Sequence, residues 1–416
     1  MSDFRNDAIQ NGNKHILNPD IKPGLPTKVF TFNNMINSEF VTDKKQINKK
    51  QCVNRNEKIR SLQEIIKTNP RYVDWRINVV SWSDIDQRTR MCWGDHWVKV
   101  QLLKEFEKFG CVVEVPPPQA DITVYLFGSP FLHKESGIAS YNPTSFNVCW
   151  LYSHPEKWTK SEASKYDYIF CLSKQYLPKV QELHRYVASF PLFSCTNHVI
   201  PDGLEYGSEY DIVMVANARG AEAPYGRISA KMLVDSGIGK NCKINIWGAK
   251  WELPKYTYIP KNWISGQYYP YEKLNVLYRT AKIVLIDGHE TSEDNGFVPM
   301  KLFDVFASGG LPIIRKNIGI EDIFGDIDIQ YSNMEEFKEL CNFYLRNKKA
   351  ALEIIRKGNQ IAKNHTFKDR ASTILTTVSN MVIDADTYRM DSVNMHIPEY
   401  INLDKGENLK RIEVIK

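Results

Sequence analysis

Short apolar runs alternate with amphipathic stretches along most of this chain. Arg76 to Val80 (RINVV) is short and β-branched, as a buried strand is. A polar loop, Ser81 to Trp93, separates it from Val98 to Phe109 (VKVQLLKEFEKF), whose spacing predicts a helix ended by Gly110. Cys111 to Val115, Asp121 to Phe127, Phe146 to Tyr152 and Tyr168 to Leu172 follow as strands, the first of them stopped by Pro116-Pro117-Pro118. Strands alternating with helices imply a parallel, Rossmann-like sheet.

A second series begins at Asp211. Asp211 to Ala216 and Lys243 to Trp247 read as strands, Gly226 to Asp235 and Glu272 to Thr280 as helices. Further helices are expected over Glu335 to Arg346, Lys349 to Asn364 and Arg370 to Val382. The Gly- and Pro-containing stretch Asn197 to Ser208 separates the two series. The expected organisation is an N-terminal extension (1–70), a first Rossmann-like domain (71–205), a second (206–364), and a crossover helix with a tail (365–416).

One stretch carries more than a fold. Ala281 to Arg315 reads strand, loop, helix, turn, strand. Ile283 to Ile286 form the strand, and the polar, acidic His289 to Asn295 read as a loop. Pro299 fits the first turn of a helix over Met300 to Ala307, and Gly309-Gly310 ends it. The unpaired N–H groups of that helix's N-terminus suit a phosphate. Lys301 adds a positive charge there, and Asp304 lies one turn on, spaced to share its face. A lysine for phosphate and a carboxylate for ribose hydroxyls describe a nucleotide-sugar site. An ordinary surface helix carries the same pair to little effect.

The run G-F-V-P-M-K-L-F-D-V-F-A-S-G-G resembles the donor-site signature of GT-B glycosyltransferases, nearest the CgeB/YkvP-like and family 4-type bacterial surface-polysaccharide enzymes. Gly296, Phe297, Lys301, Phe303, Asp304, Ala307 and Gly309 meet the pattern. It departs from the commoner retaining families, which carry two glutamates eight apart: Asp304 stands at the second position and the first is not clearly acidic. The resemblance implies two Rossmann-like domains facing a central cleft, with a C-terminal helix crossing back to the first. It implies transfer of a sugar from a nucleotide-sugar donor to a glycan or lipid-linked glycan acceptor, with no cofactor and no metal. An inactive nucleotide- or glycan-binding protein of the same fold and a GT-B epimerase are the alternatives.

Candidate residues follow the ends of strands, where open α/β sheets bind ligands. Trp93-Gly94-Asp95-His96-Trp97 follows the first strand. Gly94 and His96 are candidates for acceptor contact, and Asp95 for the acceptor's base or a helix cap. His154, in Ser153-His154-Pro155-Glu156, is a candidate to hydrogen-bond the donor or take a proton, and Ser173 is a lesser one. In the second series Arg219 and Gly220 are placed for the diphosphate, as is Arg227; each arginine also fits a surface ion pair. Trp247, at the end of the next strand, is a donor-binding candidate; the resemblance makes Tyr268 and Tyr271 candidates for the nucleobase, with core packing the expectation for at least one tyrosine. Gly296, Phe297 and Val298 line the donor loop. The acids between Asp287 and Asp294 form no D-x-D pattern and are expected to cap or to meet donor-sugar hydroxyls.

Composition narrows the class without naming a function. The 416 residues are 43% hydrophobic and 25% charged, ordinary for a globular chain with room for two cores. No run nears the ~20 apolar residues of a membrane span. The first residues, MSDFRNDAIQNGNKH, have no apolar stretch of the secretory kind, so a cytoplasmic protein is expected. The eight cysteines form no C-x-x-C pair and read as reduced core residues rather than zinc ligands. The net charge of +5 is modest: it allows attraction to an anionic membrane surface or an acidic acceptor, though solvated surface charge is the plainer reading, and no nucleic-acid partner is expected.

Overall fold

The computed structural model describes residues 61–383 except 67–71, 73, 85–90, 92–93, 116–118, 128–143, 164, 184–187 and 219–226. The expected extension before residue 61, the tail after 383, and the candidates Arg219 and Gly220 lie outside the described residues.

Two six-stranded sheets follow one another along the chain, and every strand pair in them is parallel. The first holds β1 (Arg76–Val80), β2 (Val112–Val113), β3 (Ile122–Phe127), β4 (Phe146–Leu151), β5 (Tyr168–Cys171) and β6 (Ala188–Pro191), in the order β2-β1-β3-β4-β5-β6. The second holds β7 (Tyr210–Val215), β8 (Ile244–Trp247), β9 (Ile264–Gly266), β10 (Ala281–Ile286), β11 (Pro312–Arg315) and β12 (Gln330–Tyr331), in the order β12-β11-β10-β7-β8-β9. All six residues of β3 and of β4 are buried, as strands covered on both faces must be.

The strand orders fix where ligands can enter. In the first sheet the order reverses between β1 and β3, in the second between β7 and β10. At such a reversal the neighbouring connections leave to opposite faces, opening a crevice beyond the strands' C-terminal ends.

Each sheet has its own core, and each domain lends the other an aromatic ring. Helix α1 (Gly94–Lys108) lies beside the first sheet, yet its Trp97 packs in the second core. There it stacks on Tyr271, with ring centroids 4.5 Å apart and planes 9° apart. Phe297, from the second domain, packs in the first core, 5.4 Å from the Tyr176 ring. The last described helix, Phe367–Ile383, places Phe367, Ala371, Ile374, Leu375 and Val378 in the first core. Its Thr376 hydroxyl lies 3.4 Å from that of Tyr72.

Two local expectations change. The acidic stretch after β10 contains a one-turn helix, Glu290–Asp294, because the His289 carbonyl accepts from both Ser292 and Glu293 N–H groups. The helix Met300–Ala307 has Pro299 at its N-cap, one position earlier than expected.

Candidate functional site

The second sheet's crevice is built from the ends of β7 and β10. Lys301 lies in the first turn of Met300–Ala307, and its ammonium donates to the Val215 carbonyl at the end of β7. Arg227 reaches the same place from the far side. Its Nε donates to the Asn217 carbonyl at 2.9 Å and its Nη1 to the Asp287 carbonyl at 2.9 Å. Burial, reinforced by Arg227, lowers the Lys301 ammonium to about 8 against the pull of Asp304 and Asp287. Two cations thus converge on the crevice beside a helix N-terminus, and both are bonded to backbone carbonyls.

Backbone packing fixes the loop leading to that helix. Gly296 has φ +73°, and a Cβ there would lie 2.4 Å from Gln175 Oε1 and 2.9 Å from Ser173 Oγ. Only glycine lets this loop sit so close to the first domain. The Asn317 amide donates to the Phe297 carbonyl at 3.0 Å and holds the loop from the other side.

The acids beside this loop do structural work. Asp287 Oδ2 accepts from Ser229 N–H at 2.9 Å, at the start of helix Ile228–Asp235. Glu293 is 1% exposed and pairs with Arg315, and its Oε1 accepts from Gly288 N–H at 3.1 Å. Burial lifts its carboxyl to about 7, Arg315 pulling the other way. Of the two roles expected for these acids, Asp287 takes the capping one at the start of that helix, and Glu293 accepts from a backbone N–H beside its own one-turn helix. An ion pair bridging 22 residues has no local sequence signal.

Asp304 is also withdrawn from solvent. It is 3% exposed, and its Oδ1 accepts from the Thr196 hydroxyl at 2.6 Å, with His198 Nε2 3.9 Å away. Burial raises its carboxyl, opposed by His198, Thr196 and Lys301. Its present partners are in the interdomain linker, not the open crevice. Thr196 and His198 were hidden from sequence reasoning because a linker has no periodicity to read.

The aromatic candidates divide. Tyr271 is buried against Trp97 and takes the packing role expected of one tyrosine, whereas Tyr268 is 36% exposed. Trp247 ends β8, and its buried indole N–H has no hydrogen-bond partner among the described residues. Phe297 and Val298 are buried, and Phe297 N–H donates to the Ser292 carbonyl at 2.8 Å, so Phe297 shapes the loop rather than meeting a ligand with its side chain.

The first domain presents Asp95 and His154 at the ends of β1 and β4. Asp95 is 6% exposed, and its Oδ2 accepts from Ser83 N–H at 2.9 Å. Burial raises its carboxyl, opposed by that bond. Asp95 therefore pins the loop after β1 from inside the helix rather than standing before it as a cap. Gly94 is exposed, and a Cβ there meets nothing within 4 Å, so no protein contact demands glycine. The His96 ring lies edge-on to Trp97 at 5.1 Å. His154 takes left-handed backbone angles, φ 53° and ψ 53°.

The two domains also meet along a seam beside the donor loop. The Ser173 hydroxyl donates to the Asn295 carbonyl at 2.5 Å, and the Gln175 amide to the Ile318 carbonyl at 3.1 Å. The Thr291 hydroxyl donates to Glu156 at 2.9 Å, and the His154 and His289 rings lie 4.7 Å apart. The structure thus brings His154 against the second domain's loop, with Lys301 and Arg227 together deeper in that domain. Among the described residues no three His, Cys, Asp or Glu side chains are grouped to hold a metal ion. Among the same residues no helix is long and apolar enough to cross a membrane.

Two successive parallel α/β sheets are an arrangement shared with solved structures. T4 phage BGT in complex with UDP-glucose superposes with a TM-score of 0.51 at 13% identity, over 73% of this chain and 99% of that one. Anabaena Alr3699/HepE in complex with UDP and glucose superposes with a TM-score of 0.50 at 10% identity, again over 73% and 99%. The fold is GT-B. Residues 230–376, which include Lys301 and Asp304, match a family model described as glycosyl transferase-like. A comparison with curated protein sequences finds no match.

Proposed function

We propose that this chain is a glycosyltransferase that moves a sugar from a nucleotide-sugar donor to a glycan or lipid-linked glycan. The observation that carries this reading is the convergence of Lys301 and Arg227 at the β7/β10 reversal, beside a helix N-terminus. A nucleoside diphosphate seated there meets two cations and the unpaired N–H groups of the helix. The same charges stabilise the diphosphate as it leaves with its bonding electrons, and no metal is required on this reading. Trp247 and Tyr268 flank the base. Asp304 takes the ribose hydroxyls after exchanging its Thr196 partner. His154 faces the sugar and the acceptor from the first domain, and Asp95 acts there by holding the loop after β1 in place.

The glycosyl transferase-like match and the UDP carried by T4 phage BGT and Anabaena HepE favour a uridine donor. The resemblance to CgeB/YkvP-like enzymes favours surface-polysaccharide synthesis, with the enzyme working in the cytoplasm at the inner face of the membrane. The test is calorimetric titration with UDP and UDP-glucose, followed by donor consumption with glycan acceptors in the presence and absence of EDTA. Binding with EDTA-insensitive turnover is expected. No nucleotide binding overturns the reading; turnover lost with EDTA and restored by a divalent ion overturns its metal-free part.

A further inference from the structure

The turn after β4 has features that neither core packing nor the donor site accounts for. His154 adopts the left-handed region directly before Pro155, a position where proline favours extended backbone. The neighbourhood holds it there. The His154 carbonyl accepts from Lys157 N–H at 3.0 Å, and the Pro155 carbonyl accepts from the Tyr176 hydroxyl at 2.8 Å. Such over-determined backbone marks sites where one side chain must point one way.

Glu156 supplies the direction. Its Oε1 lies 2.9 Å from His154 Nδ1, and its Oε2 accepts from the Thr291 hydroxyl at 2.9 Å. Each carboxylate oxygen therefore serves a different domain. Burial raises the Glu156 carboxyl, but the bonds from His154, its own backbone N–H and Thr291 outweigh it, leaving it below the usual carboxylate range. An ionised carboxylate has no proton to give, so Nδ1 carries the hydrogen and Nε2 of the neutral ring is the bare base.

We propose that Glu156 is a positioning residue that fixes the tautomer and aim of His154 and does so fully only when the domains meet. Thr291, on the one-turn helix beside the donor loop, is the second domain's half of the contact. Opening the seam removes that hydroxyl and frees Glu156 to swing away. Closure thereby couples the seating of the donor loop to the aiming of the base on the opposite domain. This rests on the glycosyl-transfer reading above for its effect on turnover, but not for the link between Glu156 and the imidazole.

The test uses the full chain with ¹⁵N-labelled histidine, together with Glu156→Ala, Thr291→Val and the double variant. In wild type, the His154 nitrogens should report hydrogen on Nδ1. Glu156→Ala should shift the ring toward a tautomer mixture and lower kcat by about a hundredfold, the loss a misaimed reacting group brings. The KM for UDP-glucose should stay within about twofold, because Lys301 and Arg227 still hold the phosphates. Thr291→Val should lower kcat about three- to tenfold, one hydrogen bond's worth. The double variant should be no worse than Glu156→Ala, since Thr291 acts only through Glu156. A merely structural turn predicts lower melting temperatures with unchanged kcat and an unchanged tautomer, and that result overturns the proposal. So does a double variant whose losses multiply. Titration of the same samples with UDP keeps the functional reading separate: a wild type that binds no nucleotide overturns that reading, while the nitrogen spectra still decide whether Glu156 sets the ring.

Discussion

Lys301 is the residue on which the donor site turns. Its ammonium is partly withdrawn from water, close enough to Arg227 to feel its charge, and bonded to a strand-end carbonyl. A phosphate arriving there replaces a weak neutral acceptor with a charged one. Lys301→Ala should therefore cost about 1.5–3 kcal/mol of binding, roughly a ten- to hundredfold weaker UDP affinity by calorimetry. The pH dependence follows from the lowered ammonium, which titrates at about 8 in the free protein. A bound diphosphate favours the charged form, so binding takes up a proton once pH exceeds that value. UDP affinity should then fall steadily between about pH 7 and pH 9.5, and Lys301→Arg, whose guanidinium stays charged, should flatten that part of the curve. An affinity unchanged by Lys301→Ala would remove the phosphate assignment. Sequence alone placed Lys301 in the first turn of its helix. It did not reveal that Asp304 looks away into the linker, because a helical spacing of three says which residues share a face and not what covers that face.

Elements with strong periodicity and clear stops were legible. The helix Met300–Ala307 and its glycine stop, Gly309 at φ +72°, stand where the apolar spacing and the Gly-Gly pair put them. The one-turn helix Glu290–Asp294 was not legible, since five polar residues look like a loop until Glu293 has Arg315 to turn toward. That pair fastens the donor loop's approach to β11 and gives an element-scale test. Arg315→Met leaves a carboxylate that is 1% exposed without its cation, a loss on the order of 3 kcal/mol in urea unfolding. Burial already lifts Glu293 to about 7 against Arg315's pull, and removing the guanidinium lifts it further. The folded variant then holds a proton that the unfolded chain releases, so its stability falls as pH rises through the folded value and recovers as pH falls below it. The deficit against wild type should be greatest above about pH 8 and narrow toward pH 6. A deficit independent of pH would mean that lost packing, not the stranded charge, is responsible.

At the scale of the molecule, two alternating series predicted two parallel sheets, and the chain has them. The strand orders, and hence the two crevices, lay beyond reach because periodicity counts strands without ordering them. The exchange of Trp97 and Phe297 between cores was equally silent, an aromatic being equally apolar in either core. The last helix's amphipathic pattern likewise does not say which sheet it covers, and the expectation that it crosses back to the first domain came from the GT-B resemblance alone. Phe367, Ala371, Ile374, Leu375 and Val378 are all 0% exposed within the first domain's core, although the chain enters this helix from the second domain. Burying the four larger side chains is worth on the order of 6–12 kcal/mol, comparable to the entire stability of a domain. A chain ended after Asn364 should therefore lose the first domain while the second, whose core holds none of these residues, persists. Hydrogen exchange separates the two: amides of β3 and β4 should exchange at nearly unprotected rates in the shortened chain, while those of β7 and β10 stay slow. UDP should still bind the remaining domain, more weakly, because Lys301 and Arg227 are both within it. Continued protection of β3 and β4 would show that the first sheet stands without this helix, and uniform loss across both sheets would show that the two domains fold only as one.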